Sequence, residues 1–152
     1  MNNVKVGIIS GYFNPIHRGH IEYINAAKEQ CDYLICIVNN DDQVALKGSQ
    51  PFMDEQHRLC IMNNIKSIDK ALVSVDTDKS VAETLSQIVN NLSLEKQCEF
   101  LFFNSGDRSA SNENESEAKV CNEKNIQRVF IQLPKVCSSS KLKLNLSTDN
   151  VK

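Results

Sequence analysis

"VKVGIISGYFNPIHRGHI", residues 4–21, runs from a short, continuous apolar segment into a turn holding Gly11, Pro15, Gly19, His17 and His20. An unbroken apolar run of this length is what a strand buried on both faces requires. Beyond the turn, Ile21, Ile24, Ala27 and Cys31 recur at helical spacing, so a helix follows. Strand, glycine-rich turn and helix in that order open a βα unit, and the rest of the chain repeats the alternation.

Further apolar runs stand at "YLICIVN" (33–39), "KALVSV" (70–75), "EFLFF" (99–103) and "RVFIQL" (128–133). Between them, Leu59, Met62 and Ile65 stripe one segment, with Asp54 as its expected N-cap, and Val81, Leu85 and Ile88 stripe the next. The gap "NSGDRSASNENESEAKVCNEKN" (104–125) opens as a polar loop and gains a weak helical stripe at Ala118 and Cys121, while "SSSKLKLNL" (138–146) reads as a short terminal helix. Strands alternating with helices imply a parallel sheet with right-handed crossovers. The expected architecture is therefore an α/β, Rossmann-like three-layer domain around a five-stranded parallel sheet. It is expected to occupy residues 1–146, with a disordered tail at 147–152.

The 152 residues and 41% hydrophobic content suit one domain with an ordinary core. A net charge of -2, with both signs mixed along the chain, leaves no basic field of the kind that marks a nucleic-acid or membrane-surface binder. No stretch approaches the roughly 20 apolar residues of a membrane span, and "MNNVKVGIIS" lacks a signal peptide's order, so a cytoplasmic location is expected. Cys31, Cys36, Cys60, Cys98, Cys121 and Cys137 form no CxxC pair and sit mostly among apolar residues. They read as reduced structural thiols, and no metal site is expected from them.

In a parallel sheet, ligands bind beyond the carboxyl ends of the strands. The turn at 10–21 lies at such an end. Gly11 lets a ligand approach the main chain, Pro15 sets the direction of entry into the helix, and Gly19 clears space between the histidines. His17 and His20, three apart at a helix N-terminus, can face one spot that free backbone N–H groups also face. Such a spot favours phosphate, to which imidazole N–H groups donate.

"GYFNPIHRGH" (11–20) resembles the GxFxxxHxGH signature of the cytidylyltransferase-like nucleotidyltransferases. The likeness extends through "VNNDDQVALKGSQPFMDEQHRLCIMNNIKSIDK" (38–70), "NSGDRS" (104–109) and "KVCSSSKL" (135–142), which resemble the Lys-Gly loop and Arg-bearing helix, the "GGD" stretch and the closing Ser/Thr triplet of sugar-phosphate and glycerol-phosphate members. It implies transfer of AMP or CMP from ATP or CTP to a phosphorylated small molecule, a sugar or polyol phosphate, with release of pyrophosphate. Mg²⁺ would arrive on the nucleotide, and a homodimer is the implied assembly.

The same resemblance assigns catalytic contacts to His17, His20 and Lys47. It assigns nucleotide binding to Gly11, Tyr12, Phe13, Asn14, Gly19, Arg58, Gly106, Asp107, Ser138, Ser139 and Ser140. By itself Lys47 reads as a surface lysine in a flexible loop, Arg58 as a helix-surface charge, and His57 as a surface or capping residue. Two departures bear on the acceptor: Asn104 and Ser105 stand where sugar-phosphate members often carry Lys or Met ahead of "GGD", and "LPKVCSSS" (133–140) lacks the Arg-Thr pair of glycerol-phosphate members. A phosphate monoester, with a second pKa of about 6, is already largely dianionic at neutral pH and needs no general base. The sequence offers no acid/base dyad near the turn. The competing reading is a catalytically silent nucleotide-binding or regulatory module of the same fold.

Overall fold

The computed structural model describes residues 3–94, 97–105 and 113–133. Its elements run β1 (Val4–Gly11), α1 (Arg18–Glu29), β2 (Tyr33–Val38), α2 (Asp41–Leu46), α3 (Glu55–Asn63), β3 (Lys70–Val73), α4 (Ala82–Ser93), β4 (Cys98–Ser105), α5 (Glu115–Lys124) and β5 (Ile126–Ile131). The five strands form one parallel sheet in the order β3-β2-β1-β4-β5.

Alternation along the strands divides the core in two. Ile9, Leu34, Cys36, Val38, Leu101 and Phe103 pack with Ile24, Ala27 and Met62 of α1 and α3, whereas Val6, Ile8, Ile35, Ile37, Phe100 and Phe102 pack with Leu85, Ile88, Val89 and Cys121 of α4 and α5. Both faces of the sheet are thereby covered, and the three-layer architecture follows. Gly7 is required by the first contact: a Cβ there would fall 2.7 Å from Cys31 Sγ and from the Phe103 ring.

Three helices start where a short polar side chain takes over an orphan N–H. Asn40 caps α2 in a reciprocal box with Gln43, Asp54 caps α3, and Asn114 caps α5. The capping box at Asn40 and two acidic residues in the first turn explain why α2 forms inside the stretch read from sequence as a loop. Asn125 ends α5 in the left-handed conformation (φ 58°) and releases the chain at once into β5, which begins two residues before the run at 128–133. Pairing of Ile126 with Phe100 fixes that start.

The chain leaves β1 towards β2 and β3 on one side, and β4 and β5 lie on the other. The order therefore reverses between β1 and β4, and the crevice outside their carboxyl ends is the place where such sheets bind ligands. Among the described residues no helix is long and apolar enough to cross a membrane. The described cysteines, Cys31, Cys36, Cys60, Cys98 and Cys121, are free thiols; burial pushes the thiol of Cys36 far up and that of Cys121 to about 11, so both are inert. Cys137, the expected terminal helix and the tail at 147–152 lie outside the described residues.

Candidate active site

The turn after β1 is held by its own side chains. Ring atoms of Phe13 stand where a Cβ on Gly11 would sit, the nearest 2.7 Å away, and Phe13 itself adopts φ 50° with its ring 2% exposed. The Asn14–Pro15 peptide is cis. Asn14, also buried, donates through Nδ2 to Gln50 O at 3.0 Å and accepts the Phe52 N–H, pinning the segment after α2 against the turn.

His17 and His20 form the first turn of α1 as a reciprocal cap. Nδ1 of His17 accepts the Gly19 N–H at 3.1 Å, and Nδ1 of His20 accepts the His17 N–H at 3.1 Å. A nitrogen that accepts cannot carry a proton, so both neutral rings are fixed as Nε2–H donors. The rings stack with centroids 3.8 Å apart, and Phe13 meets His20 edge-on at 5.1 Å. Burial above all, then the neighbouring His17 and Lys47 charges, lower His20 to about 4; burial also lowers His17. At neutral pH the site therefore presents two uncharged donors at the positive end of a helix.

Beside them, outside the ends of β1 and β4, opens a cavity of about 430 Å³ lined by Ser10, Gly11, Tyr12, Tyr23, Asn39, Lys47, Lys79, Val81, Phe103, Asn104, Asn114 and Glu117. Its size is that of a small-molecule site. Gly11, Tyr12 and Lys47 were expected there. Lys47 belongs to no loose loop: it is the C-cap residue of α2, and its ammonium lies 4.4 Å from the centre of the Tyr12 ring. His17, His20 and Gly19 adjoin the cavity at the start of α1 without forming its wall.

Three expected nucleotide contacts are placed otherwise. Phe13 and Asn14 are buried and shape the turn from behind, as described. Arg58, 1% exposed, spends its guanidinium on four partners: Nε donates to Met53 O at 3.0 Å, Nη1 to Tyr12 O and Asn39 O at 2.9 and 2.6 Å, and Nη2 to Asp41 Oδ1 at 2.7 Å. It clamps the ends of β1 and β2 and the start of α2 together, which makes it a positioning residue. His57 is exposed, and its N–H is the one Asp54 caps. Gly106, Asp107, Ser138, Ser139 and Ser140 lie outside the described residues.

Asn104, singled out in the sequence as a departure bearing on the acceptor, lines the cavity at the end of β4. Other cavity residues carried no such signal: Asn39 follows from its place at the end of β2, where a ligand is expected. Asn114 and Glu117 face the site because they are the cap and third residue of α5, with Glu117 Oε2 accepting the Val81 N–H at 2.9 Å. Lys79, in the segment between β3 and α4, has no local signal.

A family model described as cytidylyltransferase-like matches residues 8–145. Among curated proteins, the chain is 33% identical over 82 residues to the FAD synthase of Thermoplasma acidophilum, covering 53% of this chain and 58% of that protein. It is 35% identical over 85 residues to the bifunctional protein HldE of Mesorhizobium japonicum, covering 54% of this chain and 17% of that one. The chain thus spans little more than half of the first relative and a small part of the second. Among solved structures, a lipopolysaccharide core biosynthesis protein from Thermoplasma volcanium superposes with a TM-score of 0.63 at 21% identity, over 89% of this chain and 100% of that one. Thermotoga maritima TmcAL, solved with alpha-thio ATP bound, superposes with a TM-score of 0.66 at 13% identity, over 97% of this chain and 51% of that one. These two share the fold. With the sheet order, the β1 turn and a family match over most of its length, the chain belongs to the cytidylyltransferase-like family.

Proposed function

We propose that the chain transfers AMP or CMP from ATP or CTP to a phosphorylated small molecule, releasing pyrophosphate. The observation that carries this reading is the reciprocal cap of His17 and His20, which leaves each ring an Nε2–H donor at the N-terminus of α1, next to a cavity bearing Lys47. Such an arrangement recognises phosphate oxygens whose charge grows during reaction. An oxygen of the acceptor's phosphate dianion attacks the α-phosphorus, the new P–O bond forms as the bond to the β-phosphate oxygen breaks, and the electron pair leaves with pyrophosphate. No proton moves, which agrees with two histidines held neutral as donors rather than bases.

His17 and His20 would contact the α- and β-phosphate region, with Lys47 nearby on the chain of phosphates; in-line geometry and charge neutralisation then supply most of the acceleration. Among the described residues that line the cavity Glu117 is the one carboxylate, and it already accepts the Val81 N–H, so Mg²⁺ would be held mainly by triphosphate oxygens and water. Bound there, the ion would withdraw charge from the leaving pyrophosphate.

The acceptor we favour is a sugar or polyol phosphate, which the likeness of residues 38–70, 104–109 and 135–142 to sugar-phosphate and glycerol-phosphate members supports. Similarity to FAD synthases supports a second acceptor class, a flavin phosphate, and with it AMP as the transferred group. A matrix of ATP, CTP, GTP and UTP against sugar phosphates, polyol phosphates and FMN, read as pyrophosphate release, tests the proposal. Acceptor-dependent release with ATP or CTP is the expected result; nucleotide binding without turnover on any acceptor would favour the silent module.

A further inference from the structure

We infer that Lys79 anchors the phosphate of the acceptor, an assignment that rests on the nucleotidyl-transfer reading above and gives a second cation its task. The reaction brings two polyanions together, a triphosphate and a phosphate monoester. His17, His20, the N-terminus of α1 and Lys47 gather on the turn after β1 and serve the first. A monoester dianion brought in-line with the α-phosphorus needs a cation of its own, placed elsewhere on the same cavity. Lys79 is that group: it lines the cavity with Lys47 and Tyr12 but arrives from the segment between β3 and α4.

That segment is braced on both sides of Lys79. Gln43, fully buried on α2, donates through Nε2 to Asp78 O at 2.7 Å and to Ser80 O at 2.8 Å, so one amide grips the carbonyls on both sides of Lys79. Asp78 Oδ1 accepts both the N–H and the hydroxyl of Ser80, at 2.9 and 2.7 Å. The Val81 N–H is taken by Glu117, and the carboxylate of Asp76 receives the N–H groups of Glu83 and Thr84 at the start of α4. The backbone carbonyls on either side of position 79 are thus held by Gln43, while the side chain of Lys79 stands exposed at the cavity. Among the described residues no hydrogen bond or ion pair occupies its ammonium.

The bracket also links the two lysines. Gln43 lies in α2, and the next residue after that helix is its C-cap, Lys47. A single six-residue helix therefore fixes the direction from which each ammonium enters the cavity. Two cations set by one rigid element at different points of a cavity suit two anions that must meet at a defined geometry.

The test compares wild type, Lys79→Ala and Lys79→Arg in steady-state pyrophosphate release, with the nucleotide and the acceptor that the wild type uses varied separately. A charge-assisted contact to phosphate predicts that Lys79→Ala raises KM for the acceptor roughly ten- to a hundredfold, leaves KM for the nucleotide within about twofold, and is substantially rescued by Lys79→Arg. Because the side chain is exposed, the thermal transition of Lys79→Ala should match the wild type. A rise confined to KM for the nucleotide assigns Lys79 to the triphosphate and overturns the inference, as does a variant in which neither KM moves. Absence of pyrophosphate release by the wild type on every acceptor removes the underlying reading and this assignment with it; normal wild-type turnover with an unmoved acceptor KM in Lys79→Ala removes the assignment alone.

Discussion

His20→Asn separates the charge of the partly buried imidazole from its capping role. Asn keeps an acceptor for the His17 N–H that His20 Nδ1 now takes, and it does not titrate. In the folded chain His20 is lowered from 6.5 to about 4, by burial first and then by the His17 and Lys47 charges. The unfolded chain therefore takes up the proton first as pH falls. The stability linked to this group is intact above about pH 6.5 and is lost progressively as the pH drops from there to about 4. At about 1.4 kcal/mol per pH unit, the interval from 6.5 to about 4 corresponds to about 3 kcal/mol in full, of which about 2 kcal/mol is already lost at pH 5. His17 shifts the same way and is retained in the variant. Urea unfolding at about pH 7.5 and about pH 5 is the assay. The wild type should lose about 2 kcal/mol more than His20→Asn over that interval. Equal losses would refute the claim that the fold holds His20 neutral.

Substitutions at two other positions probe the scaffold of the turn. Gly11→Ala places a Cβ 2.7 Å from a Phe13 ring that is buried and has nowhere to swing, so it should cost about 1–3 kcal/mol in urea unfolding and reduce turnover by displacing the turn. Arg58→Met strips partners from three carbonyls and from Asp41; it should cost about 3–5 kcal/mol, and Arg58→Lys should recover only part because an ammonium cannot reproduce the fork. A stable Arg58→Met with a raised KM for nucleotide would instead return Arg58 to the binding site.

Strands buried on both faces are legible because their apolar runs have no competing explanation, and β1, β2 and β4 stand where "VKVGIIS", "YLICIVN" and "EFLFF" put them. The short α2 escaped because six residues carry too little periodicity, although the Asn40 and Gln43 box announces its start. At the site, Gly11 could be read from the local glycine-rich turn, and Tyr12 and Lys47 from the family resemblance. The clamping role of Arg58 could not: its partners Tyr12 and Asn39 lie 46 and 19 positions away, and only the folded chain shows that the guanidinium faces inward. Lys79 is silent for the same reason, since its direction is set by Gln43, which grips carbonyls 35 and 37 positions distant. Long-range hydrogen bonds decide where a charged side chain points, and a linear pattern does not contain them.

The central claim is that His17 and His20 act as neutral Nε2–H donors to the reacting phosphates. His17→Asn and His20→Asn keep a capping acceptor while deleting those donors, so the helix start should survive. The most direct measurement is the rate of transfer of an α-phosphate-labelled nucleotide to the accepted phosphomonoester by each variant at saturating substrates, alongside its unfolding transition at neutral pH. The account predicts a loss of roughly two to three orders of magnitude in kcat for each variant, with the fold intact. Near-normal kcat in a folded His17→Asn or His20→Asn variant would contradict it.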